Sequence, residues 1–368
     1  MRWRAFIELC GHLRIGLLDG APASLSCDVP SDVPWELVIE ASSYHNVTPA
    51  LAWSLRDRPD LPAHIRDYLD AVLALNGQRN ATLLSALARI VAACNGIGVE
   101  PVLLKGAARL VEGTYPSPSL RILGDLDVLI PKERAGDVVA ALHDIGFRPD
   151  PSDAPMPEAH HHLPMLHDRV LGGGVELHTD VAGAASREII ATDWYLAGAR
   201  PSRFRDLNVR LPDPTRSVGH IVAHDQLDHE GYQDNKIELR QLLDLALIRA
   251  RHADAIDWVE LDGRFRGRKN GKVLATYLAM AKDLLGQPQP RLSRAPRRRA
   301  IEVLRHTIEP SSNPLPGVIS QRLAALARNC VTFVRRDPSR LGRLLELRKW
   351  PGRVRFVLTA FKRAPPSW

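Results

Sequence analysis

Long apolar runs are missing from this chain. No stretch approaches the ~18 consecutive apolar residues of a membrane-spanning helix, so no span is expected. Cysteine is scarce: the 4 in 368 residues (Cys10, Cys27, Cys94, Cys330) are far apart and form no CxxC pair. That argues against a structural zinc site or a disulfide framework and fits a reducing compartment. Aromatic residues make up 5% of the chain, and no aromatic stacking pattern accompanies the arginine run RAPRRRAIEVLRH, which weakens a single-strand nucleic-acid reading. No internal repeat, long low-complexity tract or HExxH motif is present. The opening MRWRAFIELCGHLRIGLL begins basic, but Glu8, His12 and Arg14 interrupt any signal core, so the cytoplasm is the expected location.

What is there is the composition of an ordinary soluble protein, 45% apolar and 25% charged. Its length leaves room for two or three units around a substantial core. The net charge of +7 suits an anionic ligand such as a nucleotide, nucleic acid or membrane surface, without choosing among them.

The sharpest signal lies in residues 100–130, EPVLLKGAARLVEGTYPSPSLRILGDLDVLI. Two apolar runs, Val102-Leu103-Leu104 and Val128-Leu129-Ile130, read as strands bracketing a Lys105-Gly106 turn and the triplet Asp125-Leu126-Asp127. Residues two apart on a strand face the same way, so both aspartates project together. Such a pair repels unless a cation lies between, and Mg²⁺ suits because it takes oxygen ligands and keeps positions open for phosphates. Gly106 lets the backbone approach a phosphate, with the Lys105 charge beside it. A third acid, Glu176, sits between Val175 and Leu177 on a predicted strand, where a core-facing carboxylate needs a partner or cation. If strand 175–178 pairs beside strand 125–130, the three carboxylates converge on a two-metal site.

Around this centre, residues 35–55 predict two helical pieces broken before Pro49. Residues 63–96 predict a strong helical pattern through Leu69, Val72, Leu73, Leu83, Leu84, Leu87, Ile90 and Val91. Pro131 opens a helix over 132–145, Gly146 closes it, and Phe147 starts a short strand. Residues 160–166 read as an edge strand that returns through Gly172-Gly173-Gly174 to Val175–His178. After residue 182 the pattern is helical, with amphipathic stretches at 217–229 and 236–252, and from Arg264 onward it is Arg-rich.

His160, His161, His162, His167 and His178 gather around the predicted hairpin, as a transition-metal site or as the lining of an anion pocket. His178 shares a face with Glu176 and is the best single candidate among them. His220 and His224 lie on one helical face without a third ligand, which favours a polar face near the cleft over metal binding. Arg240 and Asp244 are spaced for an i,i+4 ion pair.

Leu104-Lys105-Gly106, Arg121 ahead of Asp125-Leu126-Asp127, and Val175-Glu176-Leu177-His178 resemble, in order, the motifs of a poorly characterised bacterial nucleotidyltransferase family. That family belongs to the polymerase-β-like nucleotidyltransferase superfamily. His220, His224, Arg240 and Asp244 resemble its helical second half, and the likeness covers roughly residues 63–260. The resemblance implies Asp125, Asp127 and Glu176 as catalytic carboxylates holding Mg²⁺ or Mn²⁺. It implies Lys105, Gly106, Ala107, Arg121 and His178 around a nucleoside triphosphate donor, with Lys105 and Arg121 offsetting triphosphate charge. In-line attack on the α-phosphate would then release pyrophosphate, the acceptor being a small molecule, a protein or an RNA. Two features depart from the superfamily: Ala107 follows Gly106 where Gly or Ser is favoured, and the gap to Asp125 is long.

The fold expected is α/β (α+β), a small mixed-sheet core flanked by helical N-terminal and C-terminal regions. The expected units are a helical region at 1–96, a nucleotidyltransferase-like core at 97–182, a helical substrate-side region at 183–262 and an Arg-rich helical region at 263–368. Two rival readings remain: a catalytically silent nucleotide- or partner-binding module, favoured by Ala107, and an RNA-modifying toxin-like transferase, favoured by the basic C-terminal half.

Overall fold

The computed structural model describes residues 1–19, 32–149, 161–168, 174–266 and 270–309. His160 and the arginines beyond Glu309, Arg335 and Arg336 among them, lie outside the described residues.

Four helices open the chain: α1 (Arg2–Leu13), α2 (Trp35–Tyr44), α3 (Thr48–Leu55) and the long α4 (Ala63–Gly96). The next elements are β1 (Val102–Leu103), α5 (Lys105–Glu112), β2 (Leu126–Leu129), α6 (Ala135–Asp144), β3 (Phe147–Pro149), β4 (Leu166–Asp168) and β5 (Gly174–His178). A short helix, α7 (Thr192–Ala197), leads into a hairpin of β6 (Ala199–Phe204) and β7 (Leu207–Pro212). Among the described residues, the elements after β7 are helical: α8 (Pro214–Ala223), α9 (Gly231–Asp234), α10 (Leu239–His252), α11 (Trp258–Arg264), α12 (Val273–Leu285) and α13 (Ala300–Ile308).

The strands form one mixed sheet of 7 strands in the order β3-β4-β5-β2-β1-β7-β6. Its two faces alternate by residue, as the two-residue period of a strand requires. One face carries Leu103, Leu126, Val128, Val175 and Leu177 and packs on Leu83, Leu87, Ile90 and Val91 of α4 and Val138 and Leu142 of α6. On the other face, Val102, Leu104 and Leu129 join a second core shared by α1–α3, α8, α10, α12 and α13. Each fully buried Leu or Ile in these layers contributes about 1.5–3 kcal/mol through loss of hydrated apolar surface. Because Asp125 and Asp127 alternate with Leu126 and Val128, they fall on the side of the helical half.

α4 spans both cores: Ile65 and Leu69 belong to one, Leu83 to Cys94 to the other. Between them its apolar stripe is replaced by Asn76, Gly77 and Asn80, and this polar patch holds the loop that leads to β2. Asn76 Nδ2 donates to the Ser119 carbonyl at 2.6 Å, and Asn80 Nδ2 to the carbonyls of Pro118 (2.6 Å) and Arg121 (2.8 Å). The long gap between Gly106 and Asp125 is therefore an ordered segment moulded on α4.

The β6–β7 hairpin corrects the expectation that residues 183–262 are helical. β6 is an edge strand whose side chains are mostly exposed or half-buried, so it carries no apolar stripe to read. β7 did carry a signal, the alternation of Leu207, Val209 and Leu211. It pairs parallel to β1 through Val102 and Arg210.

Candidate active site

The turn after β1 is tied to β2 by the Leu104 amide, which donates to the Asp127 carbonyl at 3.0 Å. Lys105 then adopts φ +42°, a left-handed conformation rare for a residue with a side chain. Gly106 is demanded by packing. A Cβ there would overlap Leu123 Cδ2 and the Arg121 guanidinium, so here the close approach its lack of a side chain permits is to protein. Ala107 is fully buried in the core behind the sheet, so only its backbone could meet a ligand on the carboxylate side.

β2 and β5 pair in parallel, with Asp127 opposite Glu176 and Leu129 opposite His178. This is the pairing on which convergence of the acids depended. His178 Nε2 lies 2.9 Å from Asp127 Oδ1 and 3.6 Å from Glu176 Oε2. Lys105 Nζ donates to the same Asp127 oxygen at 2.7 Å. His162, joined to His178 by an antiparallel bridge, places its Nε2 3.9 Å from Glu176 Oε2. His161 packs its ring 5.4 Å from that of His178.

The charges follow this geometry. Burial works to raise the Asp127 pKa, but Lys105 and His178 overcome it and hold the carboxyl well below its usual range. Glu176 is lowered by its hydrogen bond with His178 against the opposing effect of burial. Asp125 is raised, by burial first and then by the charges of Asp127 and Glu176. Burial disfavours charge on His178, yet its bonds to Asp127 and Glu176 prevail and its pKa rises. Lys105 likewise stays charged, because Asp127, Glu176 and Asp125 outweigh its desolvation.

Asp127, Glu176 and His178 each offer a donor atom, all within 4.8 Å of one another. Two carboxylates and an imidazole fit a divalent metal, and the nitrogen makes Mn²⁺ or another transition ion as natural a guest as Mg²⁺. The set gathered here differs from the sequence expectation by one residue. His178 stands inside it, and Asp125 lies outside it, just ahead of β2.

Arg121 is 5% exposed and spent within the protein. Its Nη2 and Nε donate to the Asp244 carboxylate at 2.7 and 3.0 Å, and Tyr115 Oη donates to the same carboxylate at 2.6 Å. The expected Arg240–Asp244 pair does not form; Arg240 turns instead to Glu238 (3.5 Å) and the Ile122 carbonyl (3.2 Å). Asp244 therefore locks α10 to the loop ahead of β2.

Beside Lys105 opens a small cleft of about 50 Å³, lined on the helical side by Tyr195, Ser217, His220, His224, Arg240 and Gln241. Burial first, then the Lys105 charge, pushes His220 down to about 3 and His224 well below its ordinary value, so both are neutral near pH 7. Gln241 Nε2 lies 3.3 Å from His224 Nδ1. His224 also begins a π-helical turn, His224–Asp228, a local irregularity frequent at functional sites. These placements put the two histidines on a polar wall of the cleft. Tyr195, Ser217 and Gln241 were not singled out by the sequence, because single polar residues on amphipathic helices carry no spacing signature.

A turn feeding a helix, Asp127 on β2 with Asp125 just ahead of the strand, and Glu176 on the parallel neighbour β5 make up the candidate site. The chain matches an uncharacterised nucleotidyltransferase family over residues 31–286 and belongs to that family. No curated protein matches it. Among solved structures, that of the antibiotic-resistance factor ANT(2'')-Ia aligns with 50% of this chain and 90% of its own. The identity is 11% and the TM-score 0.36, a likeness too low to carry an argument. Among the described residues no helix is long and apolar enough to cross a membrane.

Proposed function

We propose that the chain moves a nucleoside monophosphate from a nucleoside triphosphate to an acceptor hydroxyl, with a divalent metal, Mg²⁺ or Mn²⁺, held at Asp127 and Glu176. The observation that carries this is the parallel register of Asp127 with Glu176, together with membership of a nucleotidyltransferase family. His178 completes the donor set, and Asp125 stands just ahead of β2 beside it. A metal bound there would neutralise phosphate charge and lower the pKa of an attacking hydroxyl. The chain's own residues supply position. Lys105 and the amides at Gly106 and Ala107 flank the triphosphate, and Arg121 shapes the Gly106 turn from behind through Asp244. The acceptor oxygen bonds to the α-phosphorus as the bond to the bridging β-oxygen breaks. The hydroxyl proton goes to solvent and pyrophosphate leaves. The acceptor, a small molecule, a protein side chain or an RNA end, meets the donor phosphates at the cleft beside Lys105.

Pyrophosphate release from each of the four NTPs with Mg²⁺ or Mn²⁺, with a cell extract as acceptor source, tests this. Release should depend on the extract and vanish in the Asp125→Asn/Asp127→Asn variant. Ala107 favours a second reading, since its buried methyl offers phosphate no hydroxyl: a module that binds nucleotide without transferring it. Metal-independent NTP binding with no pyrophosphate would select that reading.

A further inference from the structure

One oxygen at the centre of the site is already fully engaged. Asp127 Oδ1 accepts the Lys105 ammonium at 2.7 Å and meets His178 Nε2 at 2.9 Å. A carboxylate oxygen offers about two lone-pair sites, so this atom has no free direction left for a third partner. Yet it is the Asp127 oxygen that faces His178, and through it Glu176, the other two donors of the candidate metal set.

The two present occupants differ in what they can become. A neutral imidazole carries a lone pair and can turn from neighbour to ligand. An ammonium has three donors and no lone pair, so it can only compete with a metal for the oxygen. Two cations on one buried oxygen also repel strongly where water screens little. Lys105 has somewhere to go. Its side chain is 23% exposed, and it borders the adjoining cleft. The left-handed backbone at φ +42° fixes where the flexible four-carbon stem starts, between the carboxylates and the cleft.

We propose that the Lys105 ammonium is the resident cation of the carboxylate cluster, that a divalent metal displaces it from Asp127, and that the released side chain turns into the cleft toward the phosphates. The inference rests on the metal reading above and adds an exchange to it. In the metal-free protein the Lys105 ammonium offsets the Asp127 charge at 2.7 Å. In the loaded protein the metal does so, and the same positive charge becomes available to the nucleotide. Binding of metal and of nucleotide phosphates is thereby coupled through one side chain.

Mn²⁺ binding, followed by the electron paramagnetic resonance signal of the free ion, tests the exchange without recourse to activity. Wild type, Lys105→Met and Asp127→Asn are titrated in the absence of nucleotide, with folding checked by circular dichroism. Removing the competitor should tighten Mn²⁺ binding by about tenfold or more in Lys105→Met, the scale of one partly buried ion pair. Asp127→Asn should abolish it. Adding NTP should tighten Mn²⁺ binding in the wild type and much less in Lys105→Met. Equal or weaker Mn²⁺ binding in Lys105→Met, with loss in Asp127→Asn, would overturn the exchange and leave the metal reading standing. Unchanged Mn²⁺ binding in Asp127→Asn would sink both. If the methionine variant does not fold, Lys105→Gln, which keeps a donor for Asp127 without the charge, gives the same comparison.

Discussion

Asp244 shows what single residues contribute to this site and how far a sequence discloses it. Its carboxylate takes Arg121 and Tyr115 in a fully buried cluster, and the i,i+4 partner that spacing offered, Arg240, is engaged elsewhere. Local spacing favours the near partner; only the docking of α10 on the loop ahead of β2 reveals the far one. Asp127 and Glu176, by contrast, were legible, because a carboxylate on an apolar strand has few structural uses. Arg121→Met should destabilise the fold by about 3–5 kcal/mol, since it strands the Asp244 charge in the interior. Chemical denaturation of the two proteins measures it, and a difference below about 1 kcal/mol would deny the buried pair its role.

Asp225 makes a pH prediction at the same scale. Burial first and the Glu238 charge second push its carboxyl up to about 7, against roughly 3.9 in an unfolded chain. The folded state therefore binds more protons between these values. Its contribution is full below about pH 4, declines as pH rises toward 7, and is gone above that. Asp225→Asn should flatten this stretch of the stability profile, worth on the order of 4 kcal/mol. Denaturant midpoints at pH 5 and pH 8 that fall equally in both proteins would contradict it.

At the scale of elements, the long helix and the hairpin were legible for opposite reasons. α4 declared itself by period, but the interruption at Asn76-Gly77-Gln78-Arg79-Asn80 was the more informative part, since buried amides in mid-helix must find partners. Their partners are the carbonyls of the loop ahead of β2. The antiparallel return to β5 is as expected, but the edge strand expected over 160–166 forms instead at Leu166–Asp168 and lies inside the sheet, with β3 at its edge. The parallel pairing of β5 with β2 was not readable, because no local rule joins strands so far apart in sequence. Asn80→Ala should cost about 1–3 kcal/mol, because the Pro118 carbonyl loses its donor and the Arg121 carbonyl keeps only Asn76 at 3.3 Å. It should also speed amide exchange in residues 117–124 ahead of global unfolding. Exchange that quickens evenly over the whole chain would show that α4 does not hold the loop.

At the scale of the whole molecule, the described N-terminal and C-terminal helices share one core. Leu9 of α1, Leu51 of α3, Leu278 of α12 and Ile308 of α13 belong to a single core that also receives Leu104 and Leu129 from the sheet. Units drawn along the sequence could not show this, since apolar helix faces do not state which helix they meet. Leu9→Ala and Leu278→Ala should each lower the same cooperative unfolding transition by about 2–5 kcal/mol. Two separable transitions, each sensitive to one substitution, would contradict a shared core. This helical body brings the neutral His220 and His224 to the wall of a cleft that Lys105, bonded to Asp127, borders from the sheet side.

Nucleotidyl transfer differs from phosphoryl transfer in which phosphorus reaches the acceptor. Parallel incubations with α-labelled and γ-labelled NTP, Mn²⁺ and a cell extract, in wild type and the Asp125→Asn/Asp127→Asn variant, decide it. Nucleotidyl transfer predicts α-label bound covalently to an acceptor, γ-label released as pyrophosphate, and neither in the variant. Transfer of the γ-label to the acceptor, or α-labelling that survives in the variant, would contradict the site described for these carboxylates.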